Sequence, residues 1–472
     1  MTRRTRLVAV LLLLAGAGAA AWLLRPAPER PNIVVLLWDT TRADRLSAYG
    51  AARKTTPWLE GLAARGVLFE QCRAPSPWTQ PSHASLFTGL LPRHHGSTTL
   101  ESPLAPAHRT LAERLKEAGY DTVLLSNNSL VSPLTGLAQG FDRFVDVGRA
   151  TGETTAAATL EVLRAELAAR RNDGTRVGRP LFLFVNLMDA HLPYEPPEEV
   201  ARPWIPADAP EADVARLREF EFPRELGHIL GISILPPADI AILRSLYDAE
   251  IRYLDDHGAR MQRLLEEEGV LGGRSMLVVT SDHGEHLGEH GFLDHKLSVA
   301  DVLLRVPLVL HAPGRFEGGR RVKVAVRLQD LFPTLLETAG LPVEGSATPH
   351  AASLLPAALD ARPQVAEFSP ALGFLPRMRE IHPDAPESAF LPFHRRFVTL
   401  VDVPAAGRRL KWNITRRVEP GSSIEVEEGE TLFDVDADPG EDRDLLGVPD
   451  GKEDDRAAAA RLREMAERAL GE

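Results

Sequence analysis

Three runs of large apolar residues, each ending on acidic, amide or hydroxyl side chains, restrict what this chain can fold into. They are Asn32–Trp38 (NIVVLLW), Leu181–Leu187 (LFLFVNL) and Met276–Thr280 (MLVVT). A near-continuous apolar run has no solvent face, so each is expected to be a strand covered on both sides. Helical spacing is expected over Leu59–Arg65, from Pro81 onward, and over Thr110–Ala118, Glu153–Arg171, Ile240–Glu268 and Leu331–Thr338. Shorter strands are expected at Val67–Phe69, Thr122–Leu125 and Val306–Leu310. Strands alternating with helices predict an α/β fold, a mostly parallel sheet sandwiched by helices. That layer is expected to occupy residues 31–394, with a Pro-, acid- and Arg-rich insertion at 196–236 facing the substrate. A strand signal at Phe397–Val401 and a charged helix at Asp455–Leu470 predict a smaller C-terminal α+β subdomain over 395–472.

The first thirty residues read as a leader instead. Arg3, Arg4 and Arg6 precede an apolar run from Leu7 to Leu24, and Arg25, Pro26 and Pro28 follow it. The run is about 18 residues, near the lower limit for a membrane-spanning helix. Small residues at Ala15–Ala17 and Ala19–Ala21 would also suit cleavage. A cleaved signal and a retained anchor both remain open, and either places the rest of the chain outside the cytoplasm. With 472 residues and 44% hydrophobic content, a large core is available. The net charge of -12, with no long basic stretch, argues against nucleic acid as a partner. One cysteine, Cys72, excludes an intramolecular disulfide and a Cys-based zinc site.

The polar ends carry the chemistry. Asp39-Thr40-Thr41-Arg42 closes the first run; Asn186, Asp189 and His191 lie at and beyond the end of the second; Ser281-Asp282-His283-Gly284-Glu285 follows the third. In an open α/β sheet, ligands bind beyond the carboxyl ends of the strands, so these clusters should share one crevice. Asp39, Asp282 and His283 suit one divalent metal. Two carboxylates with an imidazole favour zinc or manganese, whereas an all-oxygen set would lean to calcium or magnesium. In Pro77–Gly89 (PWTQPSHASLFTG), Pro81 suits a first helical turn and leaves Thr79 at the helix N-terminus. There Thr79 could cap the helix, or, touching the metal, ionise and attack an anionic ester.

These segments resemble the sulfatase family of the alkaline-phosphatase superfamily. The resemblance runs from Asn32 to Leu446 through Asn32–Gly50 (NIVVLLWDTTRADRLSAYG), Pro77–Gly96, Met188–Pro197 (MDAHLPYEPP), Tyr247–Leu254 (YDAEIRYL), Ser281–Gly291 (SDHGEHLGEHG), Arg305–Gly314 (RVPLVLHAPG), Gln329–Pro342 (QDLFPTLLETAGLP) and Leu432–Leu445 (LFDVDADPGEDRDL). It implies an alkaline-phosphatase-like fold and an enzyme, a hydrolase or transferase of sulfuric or phosphoric esters. By resemblance, Asp39, Asp282 and His283 match metal ligands, and Thr79 matches the nucleophile that also touches the metal. His191 and Lys296 match contacts to the anionic group or leaving oxygen. His83 stands where the family usually has arginine, and with His295 and Asn127 it makes up the substrate-binding candidates.

The sequence departs from that family at its most characteristic position. Sulfatases proper carry C/S-x-P-x-R, whose first residue is oxidised to formylglycine. The run here is Thr79-Gln80-Pro81-Ser82-His83, and threonine is no such precursor. Cys72 has its proline one place too late to substitute. Thr40 replaces a common second acidic ligand, and Asn127 and Ser129 replace a lysine and a histidine. A threonine favours phosphoester chemistry through a covalent intermediate. The alternatives are a sulfuric ester hydrolase without formylglycine and a non-catalytic binder of an anionic glycan or lipid. The expected partner is an anionic phosphorylated or sulfated ester, with a membrane contacted only through an uncleaved leader.

Overall fold

The computed structural model describes residues 30–151, 153, 155–220, 222–343, 350–356, 359–370, 372–402, 408–419, 424–447 and 453–471. The leader therefore lies outside the described residues but for residue 30. No helix among the described residues is long and apolar enough to cross a membrane.

Eight strands form the central sheet: β1 (Ile33–Trp38), β2 (Val67–Phe69), β3 (Asp121–Ser126), β4 (Arg143–Asp146), β5 (Leu181–Leu187), β6 (Met276–Thr280), β7 (Leu308–His311) and β8 (Arg320–Val322). Their order is β8-β2-β7-β6-β1-β5-β3-β4. Strands β6, β1, β5, β3 and β4 run parallel, while β7 is antiparallel to both β6 and β2. The three continuous apolar runs are the three adjacent central strands, buried at every position. Alternate residues feed two cores. Val34, Leu36 and Trp38 face one, Ile33, Val35 and Leu37 the other. This is the mostly parallel α/β sandwich expected.

Helices cover both faces. On one side, α3 (Ala156–Asn172) and the long α4 (Pro237–Glu267) bury Leu160, Leu163, Leu243, Leu246 and Leu254. On the other lie α1 (Thr79–Thr88), α2 (Leu111–Glu117) and α5 (Leu331–Thr338). Thr110 caps α2 through a capping box with Glu113, satisfying two otherwise orphaned amides.

Two boundaries differ from the sequence reading for identifiable reasons. Val306–Leu310 is split at Pro307, which has no N–H to give to a ladder. Arg305–Val306 pairs with Cys72–Arg73 in a small side sheet, and only Leu308–His311 joins the main one. Helix α1 begins at Thr79, not Pro81. Pro81 falls at its third position, where its missing N–H would have had no helical partner anyway.

Downstream, β9 (Gln364–Phe368), β10 (Arg395–Val401), β11 (Leu410–Val418) and β12 (Glu425–Asp434) make an antiparallel sheet in that order. Its edge strand β9 lies ahead of residue 395. Helix α6 (Glu453–Leu470) packs Ala459, Leu462, Ala466 and Leu470 against Leu400, Trp412, Ile414 and Leu432. In the 196–236 region the chain forms short helices at Glu198–Ala201, Glu211–Arg218 and Phe222–Ile229.

Candidate active site and metal centre

Parallel register brings the polar ends together. Leu37 lies opposite both Asn186 of β5 and Thr280 of β6, so Asp39 emerges between the residues that follow those strands. The Asp39 amide donates to Leu187 O at 2.8 Å. The turn beyond it is fastened from several sides. Thr41 N donates to Ser281 Oγ at 2.9 Å, and Tyr247 Oη donates to Thr40 O at 2.8 Å. Thr40 holds φ +54°, a left-handed conformation costly for a β-branched residue. Its hydroxyl donates to Ala190 O at 2.7 Å, and its amide to Asp282 Oδ1 at 3.3 Å. The surroundings thus impose the turn, and the turn aims Asp39 at Asp282.

Asp39, Asp282 and His283 are fully buried and converge, with one donor atom from each within 4.8 Å of the others. His283 Nε2 lies 3.3 Å from Asp282 Oδ2 and 3.9 Å from Asp39 Oδ1. His283 Nδ1 is 2.9 Å from Gly284 O, which fixes the proton on Nδ1 and leaves the Nε2 lone pair facing the carboxylates. Asp39 Oδ1 and Asp282 Oδ2 accept no hydrogen bond among the described residues. Buried carboxylate oxygens without donors are rare. Burial, and then repulsion from Asp39, holds the Asp282 carboxyl far above the usual carboxylate range. Burial, and then the neighbouring His295, pushes the His283 imidazole far below its usual range. A divalent cation between these atoms would bring the Asp282 carboxyl back to its ionised form and would take the neutral imidazole that burial already favours at His283, so the residues fit a metal.

Thr79 is the first residue of α1 and only 2% exposed. No side chain caps this helix, so the hydroxyl is not spent on a capping bond. Instead Thr79 Oγ1 stands 3.4 Å from His283 Nε2 and 3.5 Å from Asn128 Nδ2. Thr79 stands at the helix N-terminus, where the helix dipole favours negative charge.

The other candidates occupy three kinds of place. His83, one turn along α1, is fully buried against Phe87 and Phe184. Its Nδ1 lies 3.0 Å from Thr79 O and 3.4 Å from Asp282 Oδ2, so it meets the Thr79 backbone and the Asp282 carboxylate. The His295 ring lies 4.4 Å from the His283 ring at a tilt of 41° and meets the His191 ring edge-to-face at 5.2 Å, giving a row of three imidazoles. His191 Nδ1 faces Leu192 O at 2.6 Å, and burial lowers its pKa. Lys296 is one ion pair removed, its ammonium held by Asp294.

Asn127 is buried, and its neighbour Asn128 donates from Nδ2 to Asp39 Oδ2 at 2.8 Å. Asn186 Nδ2 reaches the same oxygen at 3.2 Å. Asn128 is absent from the candidates read in the sequence. Once a strand ends, the two-residue alternation that would choose between adjacent asparagines is lost.

A second group, Glu285, Asp294 and His295, is equally close-packed. It differs in being satisfied internally. His295 Nδ1 sits 3.0 Å from Glu285 Oε1 and 2.7 Å from Asp294 Oδ1. The imidazole occupies the position a cation would take. Burial opposes its protonation, but Glu285 and then the other carboxylates outweigh burial and raise its pKa.

The profile of the Sulfatase family matches residues 31–341. The chain belongs to the sulfatase family. It is a hydrolase of sulfuric or phosphoric esters within the alkaline-phosphatase superfamily, whose sulfatase members bind a divalent metal. N-acetylgalactosamine-6-sulfatase of Canis lupus familiaris is 28% identical over 384 residues, 74% of this chain and 69% of the relative. The phosphonate monoester hydrolase of Agrobacterium radiobacter superposes with a TM-score of 0.68 at 20% identity, covering 94% of this chain and 96% of that one. A protein solved with its substrate D-glucosamine-2-N,6-O-disulfate gives 0.69 at 18% identity, with 94% and 98% covered. Both structural likenesses speak to the fold.

Two predictions arise from this geometry. First, the sulfatase loop is held by close approach of the backbone at Gly284. A Cβ there would lie 1.9 Å from Val302 O and 3.0 Å from Arg42 Cγ. Gly284 N also donates to Leu303 O at 2.7 Å. Gly284→Ala must therefore displace the Asp282–His283 segment. Differential scanning fluorimetry and metal analysis should find at least about 1–3 kcal/mol lost and the metal released. A wild-type melting curve with full metal content would contradict the packing. Second, a metal at 1,000 times its Kd should add about 4 kcal/mol, because it relieves a buried carboxylate pair. Chelation should lower Tm by several degrees, and zinc or manganese should restore it.

Proposed function

We propose that this sulfatase-family hydrolase transfers the phosphoryl group of a phosphoester to Thr79 and then to water. The observation that carries the reading is the Thr79 hydroxyl, uncommitted to a cap and 3.4 Å from His283 Nε2, beside two carboxylate oxygens without donors. A bound divalent ion would lower the hydroxyl pKa and offset charge on a non-bridging oxygen. The Thr79 oxygen attacks phosphorus in line, the bond to the leaving oxygen breaks, and phosphothreonine results. Water then attacks phosphorus and frees Thr79. The helix amides and Lys296 oppose the charge of the transferring group, and His191 exchanges protons with the leaving oxygen and the incoming water.

Phosphorus is favoured over sulfur by the chemistry of the side chain. A formylglycine hydrate releases sulfate by collapsing to its aldehyde, and a threonine ester has no such exit. The only cysteine cannot take that part: Cys72 is buried, and burial drives its thiol pKa far upward. The leader supports export, as a signal or an anchor, with an anionic ester met outside the cytoplasm. The test pairs nitrophenyl phosphate, a nitrophenyl phosphodiester and nitrophenyl sulfate on the metal-loaded protein, with intact mass after rapid quenching. An adduct of one phosphoryl group on Thr79 is expected. Sulfate turnover without phosphorus activity would replace this reading with a sulfuric ester hydrolase that dispenses with formylglycine.

A further inference from the structure

The central sheet has a direction, and the leader joins it at one end. Tyr120 Oη donates to the Pro31 carbonyl at 2.9 Å, which pins the chain at the start of β1. Asn32 ties that end together. Its Oδ1 accepts from Leu181 N at 2.7 Å, its backbone oxygen accepts from Met276 N at 2.9 Å, and its Nδ2 donates to Val270 O at 2.9 Å. The loops entering β3, β5 and β6 therefore share one pole with the point where the leader joins. Asp39, Asp282 and His283 follow the far ends of β1 and β6, so the candidate centre lies at the opposite pole. Six residues of β1, about 20 Å of strand, separate the two.

Only Arg25 to Arg30 stand between the end of the apolar run at Leu24 and the pinned Pro31. Fully extended, that tether reaches about 25 Å at most. Strand β1 is the fifth of eight in the sheet, and helices cover both faces. A chain leaving the start of β1 must pass a helix layer about 10–12 Å thick before it can run the about 20 Å to the other pole. That path is about 30 Å before any distance to lipid is added, which is longer than the tether. With the apolar run held in a bilayer, the pole that faces lipid is the one carrying Tyr120, Val177 and Arg274. Charge does not make this choice. Arg274 and Arg315 are exposed at that pole, but so are Glu317 and Glu337. The length of the tether does.

We propose that the leader holds the chain on a bilayer by a tether too short to let it turn over, with the pole of Tyr120, Val177 and Arg274 against lipid and the Asp39–Asp282–His283 centre facing away. The ester that reaches this centre then comes from the aqueous side, free or on a polymer, and is not a headgroup of the bilayer that holds the chain. The inference rests on retention of the leader and not on the Thr79 reading, and its test measures no turnover. The full chain is extracted from the membranes of the producing cells and reconstituted in phosphatidylcholine vesicles containing a lipid with a nitroxide at its headgroup. Cys72 is buried and stays unlabelled, so one new thiol can report from either pole. Val177→Cys and Leu100→Cys, at positions 53% and 36% exposed, each receive a fluorophore. Val177 lies in the loop that enters β5. Leu100 lies at the far pole, because Gln80, next to Thr79, donates from Nε2 to Thr99 O at 2.7 Å and to Ser102 O at 2.8 Å. The nitroxide should quench the Val177 label at least about threefold more than the Leu100 label, given heights that differ by about 20 Å. The ratio should hold in about 1 M salt, where the Debye length is about 3 Å. Intact mass of the extracted protein should show the leader attached. Equal quenching at the two positions, stronger quenching at Leu100, a ratio lost in salt, or a leader already cleaved would overturn the proposal.

Discussion

Thr79→Ala is expected to fold, to bind metal and to lose turnover by roughly 10³-fold or more, as removal of a covalent nucleophile does. Folding should survive because the side chain contributes little to it. The Thr79 hydroxyl caps nothing, its contacts with His283 and Asn128 are long, and alanine is a better helix former. Metal should remain because Asp39, Asp282 and His283 still converge. Thr79→Ser keeps the oxygen and should stay within about tenfold of the wild type. Steady-state kinetics on the preferred nitrophenyl ester, with metal content and melting temperature measured on each variant, decides the matter. An alanine variant that turns over normally would show that water is activated directly and that Thr79 is a bystander. Loss of activity together with loss of metal would assign Thr79 to the ion alone.

How far the site was legible depended on whether local pattern or tertiary pairing set each feature. Strands β5 and β6 were found at their full limits because burial on both faces leaves an apolar run with sharp polar ends. Position in the sheet then implied that Asp39, Asp282 and His283 meet, and they do. His83 follows Thr79 by one helical turn, so its place beside the Thr79 backbone is also written in the spacing. Other features are invisible to such reasoning. The pairing of Lys296 with Asp294 depends on Asp294 at φ +65° and Leu297 at φ +86°, conformations that no residue type there announces. Strand β9 is only five residues long and is defined by its ladder with β10, so its membership of the C-terminal sheet had to wait for the fold. That Asn128 reaches Asp39 was hidden for a similar reason: which side chain meets Asp39 beyond the strand end depends on a turn, not on a period.

Lys411→Met should cost about 3–5 kcal/mol, because removing one partner of a buried ion pair strands the other. Lys411 sits on β11 with no exposure, its ammonium 2.8 and 3.0 Å from the two oxygens of Glu441 and also donating to Val299 O. Glu441 in turn accepts from Asp301 N at 2.7 Å, and Asp301 holds Arg73 at 2.6 Å. The network therefore ties the C-terminal sheet to the segment that follows Lys296. Burial already raises the Glu441 pKa, with Lys411 opposing the rise, so deleting the ammonium raises it further. A carboxyl with a raised folded pKa adds stability that is fully present below its unfolded value, near 4.3, and is lost as pH climbs through the folded value. The deficit of Lys411→Met should thus be small at pH 5 and largest at pH 8. Adding Glu441→Gln removes the stranded charge while keeping an acceptor for Asp301 N, and should recover about 2 kcal/mol or more at pH 8. Urea unfolding of both variants at the two pH values measures this. Equal losses at pH 5 and pH 8 would mean that packing of the lysine stem, not the buried charge, is what the sheet depends on.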